Sequence, residues 1–190
     1  MTPESLKLQR QTWRKALLGA RQAMPPVVRA AAGAALDARL RTCLNGIAGG
    51  VLAFYWPIQA EFDARPAVAD WLAGGNERSG DRRAVLPVVI AKDQPLRFRA
   101  WNPDTVMRAA GFGTSVPSAE EWLVPTVLLI PLVGFDDADY RLGYGGGYYD
   151  RTLAELLPAP RTIGIGYAAG RLDTIYPQSY DLKLDTLLTD

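Results

Sequence analysis

The chain has 190 residues, with 21 Lys and Arg against 20 Asp and Glu, one cysteine and no histidine. A net charge of +1 excludes the broad positive field that draws a protein to nucleic acid or an anionic membrane, so any anion site has to be a local cluster. Without histidine, and with Cys43 alone, an ordinary zinc site and an internal disulfide are excluded; carboxylates remain as metal ligands, and they suit magnesium.

A chain of this size suits one domain, residues 1–190, with a sizeable core. Residues 4–23 read as a helix marked by Leu6, Trp13, Leu17 and Leu18 and ended by Pro25-Pro26. An alanine-rich second helix follows over 27–44, stopped by Asn45-Gly46. Cys43 sits there among Leu40, Leu44 and Ile47 and reads as a small buried apolar residue. Residues 51–55 look like a buried strand ending at Trp56-Pro57, and 65–73 like a helix opened by Pro66. Strands are expected over 85–91 and 96–101, and 102–121 as an irregular surface excursion. The most apolar short run, 126–131, reads as a central strand. A polar loop over 136–140 leads into glycines, then a helix over 148–157 and strands over 162–167 and 186–189. Strands alternating with helices predict an α/β domain with a largely parallel sheet. The N-terminal stretch lacks the apolar core of a signal peptide, and no apolar run approaches a membrane span. A cytoplasmic monomer without nucleic-acid or membrane partners is the expectation.

The chemistry concentrates in Arg141-Leu142-Gly143-Tyr144-Gly145-Gly146-Gly147-Tyr148-Tyr149-Asp150-Arg151. Successive amides of a glycine loop form a concave anion site, and a following helix adds the positive end of its dipole. No lysine followed by Ser or Thr comes after these glycines, so this is not a Walker A loop. The spacing of Gly143, Gly145 and Gly147 does not fit the dinucleotide fingerprint either.

Pro131, Phe135-Asp136, a short polar spacer and the glycine-tyrosine string together resemble the signature of the 5-formyltetrahydrofolate cyclo-ligase (5,10-methenyltetrahydrofolate synthetase) family. The likeness extends to the basic N-terminal helix, to Leu86-Pro87-Val88-Val89 and to Tyr180-Asp181 with Asp185. The resemblance implies a three-layer α/β/α domain of the sugar-phosphate isomerase and CoA-transferase class. It implies an enzyme that uses ATP and Mg2+ to cyclise 5-formyltetrahydrofolate to 5,10-methenyltetrahydrofolate, releasing ADP and phosphate. Two alternatives stay open: a ligase or kinase of this fold acting on another N-formyl or heterocyclic substrate, and a non-catalytic folate- or nucleotide-binding paralogue.

By the same resemblance Arg10, Arg14 and the run Arg141, Leu142, Gly143, Tyr144, Gly145, Gly146, Gly147, Tyr148 and Tyr149 fall at the ATP site. Trp56, Glu61, Tyr144, Gly145, Gly146, Gly147 and Tyr148 fall at the folate. Arg141, Tyr148 and Asp150 are the catalytic candidates, and Asp150 and Asp181 the magnesium ligands. Each has a plainer alternative: core packing for the tyrosines, a strand-end cap for Trp56, a first-turn helix charge for Asp150, a solvated basic face for Arg10. Residues 10 and 14, at i and i+4, are expected to project together towards a phosphate chain. The chain departs from the family pattern with Arg10 for lysine, Trp13 for leucine, Ala64 for threonine, Val116 for glutamate and Tyr180 for histidine.

Overall fold

A computed structural model describes residues 2–75 and 81–190. Its elements run α1 (Pro3–Gln22), α2 (Pro26–Asn45), β1 (Gly50–Ala53), α3 (Arg65–Ala73), β2 (Arg82–Val88), β3 (Arg97–Trp101), β4 (Met107–Ala109), β5 (Ser115–Pro117), β6 (Val127–Pro131), β7 (Gly134–Phe135), β8 (Arg141–Leu142), α4 (Tyr148–Glu155), β9 (Arg161–Ile165) and β10 (Thr186–Leu188). The main sheet has the order β10-β9-β6-β1-β2-β3. All its pairings are parallel except that of β2 with β3 at the edge.

Side chains of a strand alternate between faces, and the core divides accordingly. Leu52, Phe54, Ala84, Leu86, Val127, Leu129, Ile163 and Ile165 pack under α2 and α3 with Leu36, Leu40, Val68 and Trp71. Ala53, Val85, Leu128 and Ile130 face the opposite way, against Leu153 of α4 and Leu156 at its C-cap. This is the three-layer α/β/α domain with a largely parallel sheet. The crossover through α3 carries β1 to β2 on one side, and that through α4 carries β6 to β9 on the other. Right-handed crossovers running in opposite directions place their helices on opposite faces, as α3 and α4 lie here.

Two local expectations differ from what forms, and a third gains its context. Residues 102–121 include a hairpin, β4 with β5, around a 3-10 turn at Gly111–Gly113, and Arg99 bridges to Trp122 beside it. β2 begins at Arg82, before the apolar run, because the Arg82 guanidinium lies 5.2 Å over Trp71 and donates to the Trp71 and Ala48 carbonyls. The polar 136–140 loop is the tip of a second hairpin, β7 with β8. Cys43 is a free thiol packed against the α2-side core. Among the described residues no helix is long and apolar enough to cross a membrane.

Gly164 of β9 and Gly166 just beyond it let leucine side chains pack directly on the backbone. A Cβ at Gly164 would lie 2.6 Å from Leu184 and 2.8 Å from Leu187, and one at Gly166 2.9 Å from Leu132. Gly33 of α2 has nothing within 4 Å of its Cβ position. Gly164→Val should lower the unfolding free energy by about 1–3 kcal/mol through overpacking. Gly33→Ala should raise it by roughly 0.5–1 kcal/mol. Urea titrations of both variants against wild type check the pair.

Candidate active site

In open α/β sheets ligands bind beyond the carboxyl ends of the strands, where neighbouring crossovers part in opposite directions. That point here lies between β1 and β6. The segment after β1 carries Trp56 and Glu61, and the segment after β6 runs through the β7–β8 hairpin into the glycine loop. Asp136 shapes this hairpin. It is 2% exposed, and its Oδ1 accepts the Ala138 and Tyr140 N–H groups at 3.1 Å while Oδ2 accepts Ile175 N–H at 2.9 Å.

The loop leaves β8 at Gly143 and enters α4 through Gly147, whose φ of +65° turns the chain into the helix. Arg14 Nε donates to the Gly143 carbonyl at 2.7 Å and Arg151 Nη2 donates to that of Gly146. A Cβ at Gly145 would lie 3.2 Å from Arg14 Cζ, so glycine allows the arginine to sit against the backbone. Among the described residues no backbone acceptor meets the N–H groups of Tyr144 to Gly147. With the N-terminus of α4 these amides form an anion cradle. Burial, and then the neighbouring Arg10 cation, lowers the pKa of the Arg14 guanidinium from its usual value. Arg14 is a half-buried cation beside the cradle, placed to gain from an incoming anion.

Arg10 points elsewhere. It is 6% exposed and donates through Nε to the Ile175 carbonyl at 3.1 Å and through Nη2 to that of Tyr176 at 3.4 Å. Both its terminal nitrogens engage Asp181. The shared projection of residues 10 and 14 onto a phosphate chain is therefore not what forms: Arg10 locks the 175–181 segment and Arg14 alone reaches the glycine loop. Arg141 is also buried, beneath the loop, donating to the Leu182 carbonyl at 3.2 Å and to Asp150 Oδ1 at 2.6 Å. Leu142, fully buried in β8, contributes through its backbone.

On the other side of the loop Tyr144 donates its hydroxyl to Glu61 Oε1 at 2.6 Å, and Ile58 N–H donates to Oε2 at 2.8 Å. Burial pushes the Glu61 carboxyl up from its ordinary pKa, against the pull of these two donors and of Arg21. Tyr149 packs into the α4-side core with Tyr148; burial, and then the Glu61 charge, raises its phenol pKa. The Tyr148 ring lies 5.3 Å from the Arg151 guanidinium, and Trp56 is covered by Arg65 at 4.4 Å.

For a divalent cation the two expected ligands differ. Asp150 uses Oδ1 for Arg141, is 26% exposed, and keeps Oδ2 without a hydrogen bond among the described residues. Asp181 accepts Arg10 at both oxygens and also takes the Gln178 N–H at Oδ2. No group of three or more acidic, histidine or cysteine side chains able to hold a metal occurs among the described residues. One free carboxylate oxygen beside an anion cradle fits a magnesium ion that takes its other ligands from phosphate and water. Asp181, saturated by Arg10, does not fit that role in this arrangement.

The model of the 5-formyltetrahydrofolate cyclo-ligase family matches residues 6–190. The chain belongs to that family. A 5-formyltetrahydrofolate cyclo-ligase of Mycolicibacterium smegmatis is 30% identical over 187 residues, covering 93% of this chain and 91% of that protein. The Mycoplasma pneumoniae cyclo-ligase is 45% identical over a shorter stretch of 62 residues, 33% of this chain and 37% of its own length. The solved structure of a 5,10-methenyltetrahydrofolate synthetase from the same species superposes with a TM-score of 0.74 at 27% identity, over 94% of this chain and 97% of that one.

Within this cyclo-ligase fold, most of the site residues expected from sequence fall into two groups, with Trp56, Leu142, Tyr148 and Tyr149 in neither. Arg14, Gly143, Tyr144, Gly145, Gly146, Gly147 and Glu61 are joined by direct contacts, and Asp150 hangs from Arg141 just below. Arg10 and Asp181 form a separate buried pair. Sequence reading missed Arg21, Asp136 and Arg151 as partners of the loop. The spacing of Arg10, Arg14 and Arg21, four and then seven residues, puts all three on one helical face, and that was the available signal.

Breaking a buried pair leaves an uncompensated charge. Arg10→Met and Asp181→Asn should each lower the unfolding free energy by about 3 kcal/mol or more, and the double variant by clearly less than their sum. Urea titration of the four proteins gives the cycle, and additive losses would refute the pairing.

Proposed function

We propose that the chain catalyses the ATP-dependent cyclisation of 5-formyltetrahydrofolate to 5,10-methenyltetrahydrofolate, with ADP and phosphate as the other products. The observation that carries this reading is that one residue, Tyr144, belongs to two sites. Its N–H is part of the anion cradle and its hydroxyl bonds Glu61. A triphosphate end and a ring with N–H donors would therefore meet across this residue, as transfer of a phosphoryl group to a formyl oxygen needs.

The formyl oxygen attacks the γ-phosphorus and the bond to the β-phosphate oxygen breaks, releasing ADP. N10 of the folate then attacks the activated formyl carbon and loses its proton. The C–O bond breaks and phosphate leaves with the former formyl oxygen. Charge neutralisation and in-line placement dominate such a reaction, and neither requires histidine. The amides of Tyr144 to Gly147 would hold phosphate oxygens, and Arg14 would add charge at the edge of the cradle. Glu61 would accept the pterin's ring and amino N–H donors, with Tyr144 and Tyr148 flanking the ring. Magnesium, bound through Asp150 Oδ2 and phosphate oxygens, would supply charge neutralisation on the triphosphate. Arg141 would orient Asp150 for that contact. Arg10 and Asp181 would serve by holding the 175–181 segment in place.

Purified protein with Mg2+ and 5-formyltetrahydrofolate should give the methenyl-folate absorbance only when ATP is added. A folded protein that gives none across an ATP titration would overturn the reading. Asp150→Asn keeps an acceptor for Arg141 and loses the charge. It should lower kcat by about a hundredfold or more, with a stability loss within about 2 kcal/mol. Unchanged turnover would place the metal elsewhere.

A further inference from the structure

Arg21 is buried in the last turn of α1, 8% exposed, and is not part of the glycine signature. Its guanidinium ties together three segments that meet at the site. Nε donates to the Gln59 carbonyl at 3.0 Å and Nη1 to the Leu132 carbonyl at 3.0 Å, while Nη2 donates to the Tyr144 hydroxyl oxygen. Gln59 and Ala60, just before Glu61, have φ of 47° and 60°. Non-glycine residues seldom adopt that conformation unless neighbouring contacts hold it. Arg21 supplies such a contact, and at 4.0 Å from Glu61 Oε1 it is also an ion-pair partner.

The polarity of this chain of hydrogen bonds is dictated. A guanidinium only donates, so the Tyr144 oxygen accepts from Arg21 and its own proton goes to Glu61 Oε1. Ile58 N–H donates to Oε2. Every hydrogen-bond partner of the Glu61 side chain among the described residues is thus a donor, which matches the carboxylate and not the acid. The ionisable neighbours are Arg21 from α1, Tyr144 from the glycine loop, Tyr55 following β1 and Tyr149 of α4. Arg21 is the only cation among these four. The Glu61 side chain is 3% exposed, and the Tyr144 that bonds it is 38% exposed. A ligand donor that reaches Oε1 takes the place of the Tyr144 hydroxyl, and the cation that then stays beside the carboxylate is Arg21.

We propose that Arg21 is a positioning residue for substrate recognition, fixing the place and charge of Glu61 while the ring of the substrate exchanges with the Tyr144 hydroxyl. This rests on the reading of the site as a folate site. Arg21 meets Tyr144 at its hydroxyl, on the Glu61 side, and makes no hydrogen bond to the cradle amides or to Asp150, so its influence falls on the folate more than on ATP.

The test is steady-state kinetics of Arg21→Met and Arg21→Lys against wild type, with each substrate varied and kcat/KM for 5-formyltetrahydrofolate followed against pH. Arg21→Met should raise the folate KM by about tenfold or more and leave the ATP KM within about twofold. The limb of kcat/KM for the free enzyme on the acid side should move to higher pH, because the cation that favours ionised Glu61 is gone. Arg21→Lys keeps the charge and loses the fork. It should return the limb towards the wild-type position while the folate KM stays raised several-fold. Equal changes in both KM values, or a limb that does not move in Arg21→Met, would overturn the proposal and leave Arg21 a purely structural group. If Arg21→Met does not fold, Arg21→Lys decides: a rise in the folate KM alone supports the proposal, and unchanged or equally raised KM values sink it. A wild type that forms no methenyl product removes the folate reading itself, and the inference with it.

Discussion

The architecture of this site rests on the need to satisfy carbonyl groups that no ladder reaches. Chain segments leaving the carboxyl edge of a parallel sheet have no strand partner there, and buried unpaired carbonyls are costly. Four arginines answer that need. Arg10 takes the carbonyls of Ile175 and Tyr176, Arg14 that of Gly143, Arg21 those of Gln59 and Leu132, and Arg141 that of Leu182. Buried guanidinium groups in turn need counter-charge, and Asp181, Glu61 and Asp150 lie beside Arg10, Arg21 and Arg141. Arg14 has no such partner within salt-bridge reach among the described residues, and it lies against the anion cradle. The protein's own charges compensate the three buried cations of this set, and the half-buried Arg14, next to the proposed phosphate, is the one left without a carboxylate.

The sheet topology explains why these segments meet. The two crossovers leave β1 and β6 in opposite directions, so the space between their carboxyl ends is not covered by either helix. Glu61 enters that space from the β1 side and Tyr144 from the β6 side, and α1 lays Arg21 across both. Asp136 stabilises the arrangement from below, because the residue whose N–H it accepts, Ile175, is the one whose carbonyl accepts from Arg10. One residue, through its two flanking peptide groups, thereby couples the hairpin under the glycine loop to α1 and to the C-terminal segment.

The layered fold was legible because its core strands are short apolar runs between clear helices. Val127 to Pro131 and Arg161 to Ile165 form close to where their composition places them. The glycine loop was legible because its string is long and specific. What escaped was the role of charged residues in packing. The apolar markers Leu6, Trp13, Leu17 and Leu18 announced a helix at the N-terminus, yet two of the three fully buried positions of that helix are arginines, Arg10 and Arg21. Hydrophobic periodicity cannot register a face that docks through guanidinium groups onto carbonyls. Nor can it register a buried carboxylate such as Asp136, whose three partners are backbone amides distant in sequence or hidden in a turn.

Arg10 shows how this bears on reading a family departure. A lysine at that position would offer one compact charge, whereas the arginine fork serves two carbonyls and both oxygens of Asp181 together. The exchange of lysine for arginine is therefore not a weaker version of the same phosphate contact. It moves the residue from the ligand side to the scaffold side, and it draws Asp181 with it. On the proposed reading the cationic work at the phosphate would fall to Arg14 and the loop amides, and the carboxylate work at a magnesium ion to Asp150. A site with fewer direct ligands and a firmer frame would still suit the proposed reaction, because in-line phosphoryl transfer depends on fixed placement as much as on the number of charges that surround it.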